Sequence, residues 1–135
     1  MRIAFCSEEL DGVRGGGIGT YVSEAAKALA AAGHEVWLLT SGAGLDERAR
    51  DALRRRGSFE RVLFVEDGAA LEGSFAFGDT PLRFAALVER ALTAANLPFD
   101  YIECADFGGW GAQVVERQRR QRAFGDAVVT LVLHS

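Results

Sequence analysis

The sequence predicts an α/β fold: a doubly wound, mainly parallel sheet in the order 3-2-1-4-5 with helices on both faces. Three observations carry that expectation. Short apolar runs alternate along the chain with segments of helical spacing. Runs such as Val36-Trp37-Leu38-Leu39 are apolar without interruption, as strands covered on both faces are. Right-handed crossovers between parallel strands then favour the doubly wound order over other topologies.

The elements follow in sequence. Ile3 to Cys6 reads as a first strand, apolar and bounded by polar residues. A glycine-rich loop follows, Asp11-Gly12-Val13-Arg14-Gly15-Gly16-Gly17. Ile18, Tyr21, Val22, Ala25, Ala26 and Leu29 have helical spacing, and Gly33 stops that helix as glycine does just past a C-terminus. Val36 to Thr40 is the second strand. Leu45 to Arg56 is a charged helix closed by Gly57, and Arg61 to Val65 a third strand. Glu66 to Thr80 is polar and glycine-bearing and reads as an excursion loop. Pro81 suits a first helical turn with Thr80 as its cap, and Phe84, Leu87, Val88, Ala91 and Leu92 form the stripe of that helix. Asp100 to Cys104 is a fourth strand. Gly108-Gly109-Trp110-Gly111 opens a further helix, expected to turn Ala112, Val115 and Val114 inward. Ala127 to Leu133 is the fifth strand, with His134 just beyond it. The whole, residues 1–135, reads as one Rossmann-like domain.

Composition agrees. The chain has 135 residues, 49% hydrophobic and 25% charged, the mixture of a globular domain with its own core. A formal net charge of −4 argues against nucleic acid as a whole-surface partner. Two arginine clusters stand out: Arg48, Arg50, Arg54, Arg55 and Arg56, then Arg117, Arg119, Arg120 and Arg122. They read as solvated helix faces or as a surface toward anionic lipid or phosphate. Cys6 and Cys104 lie inside apolar strands, where free cysteine acts as a small hydrophobe; two thiols make no disulfide framework, which points to a reducing cytoplasm. No run is long enough for a membrane helix or a signal-peptide core.

Ligands of open α/β sheets sit beyond the carboxyl ends of the strands. That rim collects Ser7-Glu8-Glu9, the glycine loop, Thr40-Ser41, Ala105-Asp106 and His134-Ser135. The glycines allow close backbone approach, and a helix starting near Ile18 would point free N–H groups at an anion, so the loop is either a phosphate site or a plain strand-to-helix turn. Gly17-Ile18-Gly19-Thr20-Tyr21-Val22 departs from the dinucleotide fingerprint at Val22, the preceding loop is too long, and the second strand ends without a ribose-binding acid. No Walker loop is present, and no His/Cys/Asp cluster has metal-ligand spacing. Trp110 is either a sugar platform or a core aromatic, with core favoured. His34 reads as a turn residue, and Glu103 as a strand residue bonding neighbouring backbone.

Gly16-Gly17-Ile18-Gly19-Thr20-Tyr21-Val22, followed by Leu29-x-x-x-Gly33-His34-Glu35-Val36, resembles the opening of the family 4 retaining glycosyltransferases of the GT-B fold. Tyr101-Ile102-Glu103-Cys104-Ala105-Asp106-Phe107-Gly108-Gly109 is similar to that family's "D-x-I-E-x-x-D-Y-G-G" element. Val128 to Ser135 is similar to its "V-x-T-x-H" strand end, with one extra apolar residue before His134. The ordered set spans the chain and is more specific than any single piece.

The resemblance implies the N-terminal, acceptor-side half of an enzyme that moves a sugar from a nucleotide-diphosphate donor to an acceptor hydroxyl with retention. It places Gly16 and Gly17 at the donor diphosphate and His134 beside the transferred sugar. Asp106, Glu8 and Glu9 fall on the acceptor side. No metal or other cofactor is expected. A C-terminal domain would hold the nucleotide, so this chain alone is expected to fold but to transfer no sugar. An isolated half with its cleft exposed could pair with a second copy, and peripheral membrane contact would suit the arginine clusters. The alternative from the residues alone is a noncatalytic α/β module binding a phosphate ligand through the glycine loop. A flavodoxin-like or response-regulator reading fits less well, since Glu8, Glu9 and Asp106 imitate an acidic triad poorly and no lysine follows the fifth strand.

Overall fold

The computed structural model describes residues 1–67 and 80–134. Five strands form one all-parallel sheet in the order β3-β2-β1-β4-β5. They are β1 (Arg2–Cys6), β2 (Glu35–Thr40), β3 (Arg61–Phe64), β4 (Tyr101–Ala105) and β5 (Val128–Val132). The helices are α1 (Gly17–Ala31), α2 (Glu47–Arg54), α3 (Thr80–Ala95) and α4 (Ala112–Gln121), with a 3₁₀ turn at Phe107–Gly109. The predicted strand order and alternation are those observed. The chain runs outward from β1 through α1 and α2, then returns across the sheet through α3. Right-handed crossovers place these two pairs of helices on opposite faces, and α3 packs against α4 and the 3₁₀ turn.

The central strands are buried because both faces are covered: Ala4, Leu38, Leu39, Ile102 and Cys104 have no exposed surface. Burying one large apolar side chain contributes roughly 1.5–3 kcal/mol, so Ile3, Phe5, Leu38, Leu39 and Ile102 alone are a large part of what holds the sheet. Polar ends fix the turns. Gly33 takes φ +86°, and the His34 N–H reaches back to the Leu29 carbonyl at 3.0 Å, which closes α1. Asp46 caps α2 by accepting the Ala49 N–H at 2.8 Å, so that helix starts two residues later than the apolar Leu45 suggests.

Some expectations need correction. Ala112 faces solvent, Val115 is half-buried, and Val114 is the fully buried residue of α4. The phase of the helix is set by the turn before it, where Trp110 is pinned between Phe84 and Phe107 at 5.4 and 5.6 Å between ring centres. Trp110, 2% exposed, is thereby a core aromatic and not a platform. β5 is an edge strand with Val128 and Leu131 exposed, and it ends at Val132, so Leu133 lies just past it, exposed as well. The predicted excursion loop falls mostly on residues 68–79, and the Thr80 cap on a side chain, that lie outside the described residues.

The arginines of α4 are largely offset by acids. Arg117 pairs with Glu89 at 3.2 Å, Arg119 and Arg120 with Glu116, and Arg122 with Asp126 at 2.7 Å. In the α2 cluster, Arg50 pairs with Asp67 and Arg54 with Asp51, while Arg56 donates to the Asp11 carbonyl. These are mostly exposed pairs on solvated helix faces. Among the described residues no helix is long and apolar enough to cross a membrane.

Candidate functional site at the carboxyl rim of the sheet

The loop between β1 and α1 is built, not slack. The Leu10 N–H donates to the Arg14 carbonyl, and the Val13 and Arg14 N–H groups return to Leu10, all at 3.0 Å, around Gly12 at φ +75°. Arg14 then straps the loop to the segment after β2, donating to the carbonyls of Ser41 (3.0 Å) and Ala43. Leu10 is buried beneath the first turn of α1. A methyl group at Gly19 would meet the Leu10 backbone at 2.8–2.9 Å, so this glycine permits helix and loop to touch.

The three glycines nearest the helix start differ in what they face. A Cβ on Gly16 would lie 1.9 Å from Glu9 Oε2 and 2.5 Å from Cδ: the Glu9 carboxyl rests on the Gly16 backbone. Gly19 is filled by Leu10. Gly17 alone of these opens onto free space. α1 has no side-chain cap and no acid in its first turn, so Glu9 supplies the negative group nearest that N-terminus. Its Oε2 is buried without a hydrogen-bond partner among the described residues.

Glu9, Gly17, Ile18, Leu133 and His134 line one cavity of about 480 Å³. The loop after β1 and the end of β5 therefore share a mouth. His134 is fixed there from two sides. Its backbone N–H donates to Asp106 Oδ1 at 3.2 Å, while the Asp106 N–H bonds the Val132 carbonyl at 3.2 Å. Its ring meets Tyr21 of α1 edge-on, with centres 5.2 Å apart and planes at 61°. Asp106, expected toward the acceptor, is in the structure the group that holds the His134 backbone.

Glu8 points elsewhere. It lines a separate cavity of about 340 Å³ with Arg14, Ser41, Glu66 and Arg83. Burial raises the Glu8 carboxyl above its ordinary value; Arg14 opposes this and Glu66 adds to it. Glu66 accepts from the Ser41 hydroxyl and from the Gly42 N–H at 2.8 Å. A further cavity of about 430 Å³ beside β3 touches none of the predicted site residues. No group of three or more His, Cys, Asp or Glu among the described residues could hold a metal ion. His34 is a turn residue whose Nδ1 lies 3.3 Å from the terminal amine.

Sequence reasoning missed a part-buried polar chain behind the mouth. Thr130 Oγ1 donates to the Tyr101 phenol oxygen at 2.8 Å, and that phenol donates to Glu103 Oε2 at 2.9 Å. Glu103, 6% exposed, therefore bonds the Tyr101 side chain and not neighbouring backbone. Tyr21 of α1 lies within reach of that carboxyl's charge: its phenol is pushed up to about 12, first by desolvation and then by the charge of Glu103. The available signal was the two-residue spacing of Tyr101 and Glu103, which puts both on one face of β4.

A parallel doubly wound sheet in this order, with helices on both faces, defines a Rossmann-like α/β domain. The family follows from comparison with known sequences. The model of the glycosyl transferase 4-like domain matches residues 16–134, from the glycine loop to the histidine, and the chain belongs to that family. No curated protein matches it.

Proposed function

We propose that the chain is the acceptor-side domain of a retaining GT-B glycosyltransferase, moving a sugar from a nucleotide-diphosphate donor to an acceptor hydroxyl. The observation that carries this reading is the shared cavity of Gly17 and His134. The diphosphate would approach the open backbone of Gly17 at the N-terminus of α1, where free N–H groups favour an anion. Bond cleavage at the sugar leaves negative charge on the departing diphosphate, and a helix terminus already in place stabilises that charge without reorganising. His134 would stand beside the sugar, its backbone held by Asp106. A second domain would grip the nucleotide, and an acceptor would enter from the side of Glu8.

The test has two parts. Isothermal titration of the chain with inorganic pyrophosphate should show binding that weakens with salt and is lost in Gly17→Leu, which fills the cavity with a side chain. A labelled-donor assay should then show sugar transfer only when the chain is joined to a nucleotide-binding domain, and a loss in His134→Ala. Equal pyrophosphate binding by Gly17→Leu removes the glycine loop from the reading. Turnover by the 135 residues alone contradicts the division of labour.

A further inference from the structure

The cavity beside Glu8 has a fixed frame and two side chains left over. Arg14 is engaged by the carbonyls of Ser41 and Ala43. Both Glu66 oxygens are engaged too, one by the Ser41 hydroxyl and one by the Gly42 N–H. Ser41, 4% exposed, also accepts the Ala43 N–H at 3.2 Å. These three side chains hold the loop after β2. Glu8 and Arg83 differ: among the described residues neither enters a hydrogen bond or an ion pair, yet both line the same space of about 340 Å³. Glu8 is half-buried, and burial raises its carboxyl, as happens to a charged group taken out of water. Arg83 is exposed near the start of α3, and Phe84 and Leu87 of that helix give the cavity an apolar wall. Ligand pockets run from roughly 300 Å³ upward, so this one fits a molecule of about monosaccharide size rather than a nucleotide.

We propose that this cavity takes an anionic acceptor: a small molecule whose hydroxyl groups donate to Glu8 and whose carboxylate or phosphate pairs with Arg83. Calling the ligand an acceptor rests on the sugar-transfer reading; its binding does not. An ionised Glu8 can only accept and Arg83 can only donate, so a matching ligand brings both kinds of group. A neutral polyol leaves Arg83 unpaired, and a bare anion leaves Glu8 facing a like charge. The position agrees. Glu8 adjoins Glu9, which lines the mouth with Gly17 and His134, and neighbouring α-carbons stand only about 3.8 Å apart. The Ser7 hydroxyl pins that step of chain by donating to the Glu9 carbonyl at 2.7 Å. A molecule held by Glu8 is therefore a short distance from the place proposed for the transferred sugar.

The experiment titrates the chain, followed by NMR, with glycerol 3-phosphate, glycerate, glycerol and inorganic phosphate. The better of the two anionic polyols should bind about 10- to 100-fold more tightly than glycerol or inorganic phosphate, the range expected for hydrogen bonds to a charged group. Which of the two binds better tells a phosphate from a carboxylate. Arg83→Ala should bring that ligand down to the affinity of glycerol. Glu8→Leu should bring its preference over inorganic phosphate close to one. Should Glu8→Leu fail to fold, Arg83→Ala, at an exposed position, decides alone. Equal binding of the anionic polyols and inorganic phosphate by the parent chain overturns the proposal, and so does binding that Arg83→Ala leaves unchanged. Binding kept in Arg83→Ala but lost in Gly17→Leu puts the anion at the glycine loop and overturns it as well. Pyrophosphate reports on the glycine loop by itself, so either reading can fail while the other stands.

Discussion

Removing the carboxylate of Glu9 should make the chain bind a diphosphate more tightly while making the fold slightly less stable. The group rests on Gly16 at the start of α1, where no other acid lies in the first turn. A carboxylate in that position stabilises a helix by about 0.3–1 kcal/mol, so Glu9→Ala should lower the unfolding free energy by that amount. An incoming diphosphate meets the same carboxylate as a like charge. At ~5 Å the repulsion per pair of charges is about 1–3 kcal/mol between a watery and a protein-surface dielectric. Removing it should strengthen pyrophosphate binding by roughly 5- to 30-fold at low salt, as 1–2 kcal/mol requires. The gain should shrink as salt rises, because salt screens the charges that meet at the open mouth, though less than it would for fully exposed ones. Glu9→Gln, which keeps the volume and loses the charge, should give most of the same gain. Isothermal titration and thermal melting supply the two numbers. Binding that is unchanged or weaker in Glu9→Ala would refute the argument, because the carboxylate would then not stand in the anion's place.

Other changes follow from the same geometry. Asp106→Ala removes the acceptor for the His134 N–H; it should cost about 0.5–1.5 kcal/mol in denaturant titration and broaden the His134 amide resonance. Gly19→Ala drives a methyl into the Leu10 backbone, which cannot step aside as a side-chain tip can, so melting should show a loss of about 1–3 kcal/mol. Glu35 bonds first Arg2 and then the Trp37 indole, and its carboxyl is held below the ordinary glutamate value. A depressed folded pKa means stability that is present above the unfolded value and lost as pH falls through the folded one. Glu35→Gln should flatten that acid limb in melts across the carboxylate range and leave neutral behaviour little changed.

The sheet was legible because its strands are short apolar runs and its helices keep a clear period. The order needed only the handedness of crossovers. Helix phase was less legible. Ala112 and Val114 differ by two positions, and the turn at Trp110, locked by Phe84 from a distant helix, decides which faces inward. The meeting of Gly17 and His134 could be expected, since both lie beyond the carboxyl ends of parallel strands. The seat of Glu9 could not, because it depends on the turn that Leu10 and Arg14 make between them. Glu103 was misread for a related reason. Its partner Tyr101 shares its strand, but the Thr130 hydroxyl that holds Tyr101 comes from the next strand, and no local pattern joins the three.

Cys6 and Cys104 stand directly opposite each other on β1 and β4, and neither has meaningful exposed surface. The Cys6 thiol is held well above its ordinary value by the neighbouring Cys104 thiol and by burial. Such sulfurs are nearly inert while the centre of the sheet is closed. An alkylating reagent can reach them only when β1 and β4 part, which for neighbouring central strands means opening the innermost part of the domain. The rate of their labelling therefore serves as a built-in clock for the rarest excursions of this chain. Any ligand that stabilises the folded form should slow that clock in proportion to its occupancy.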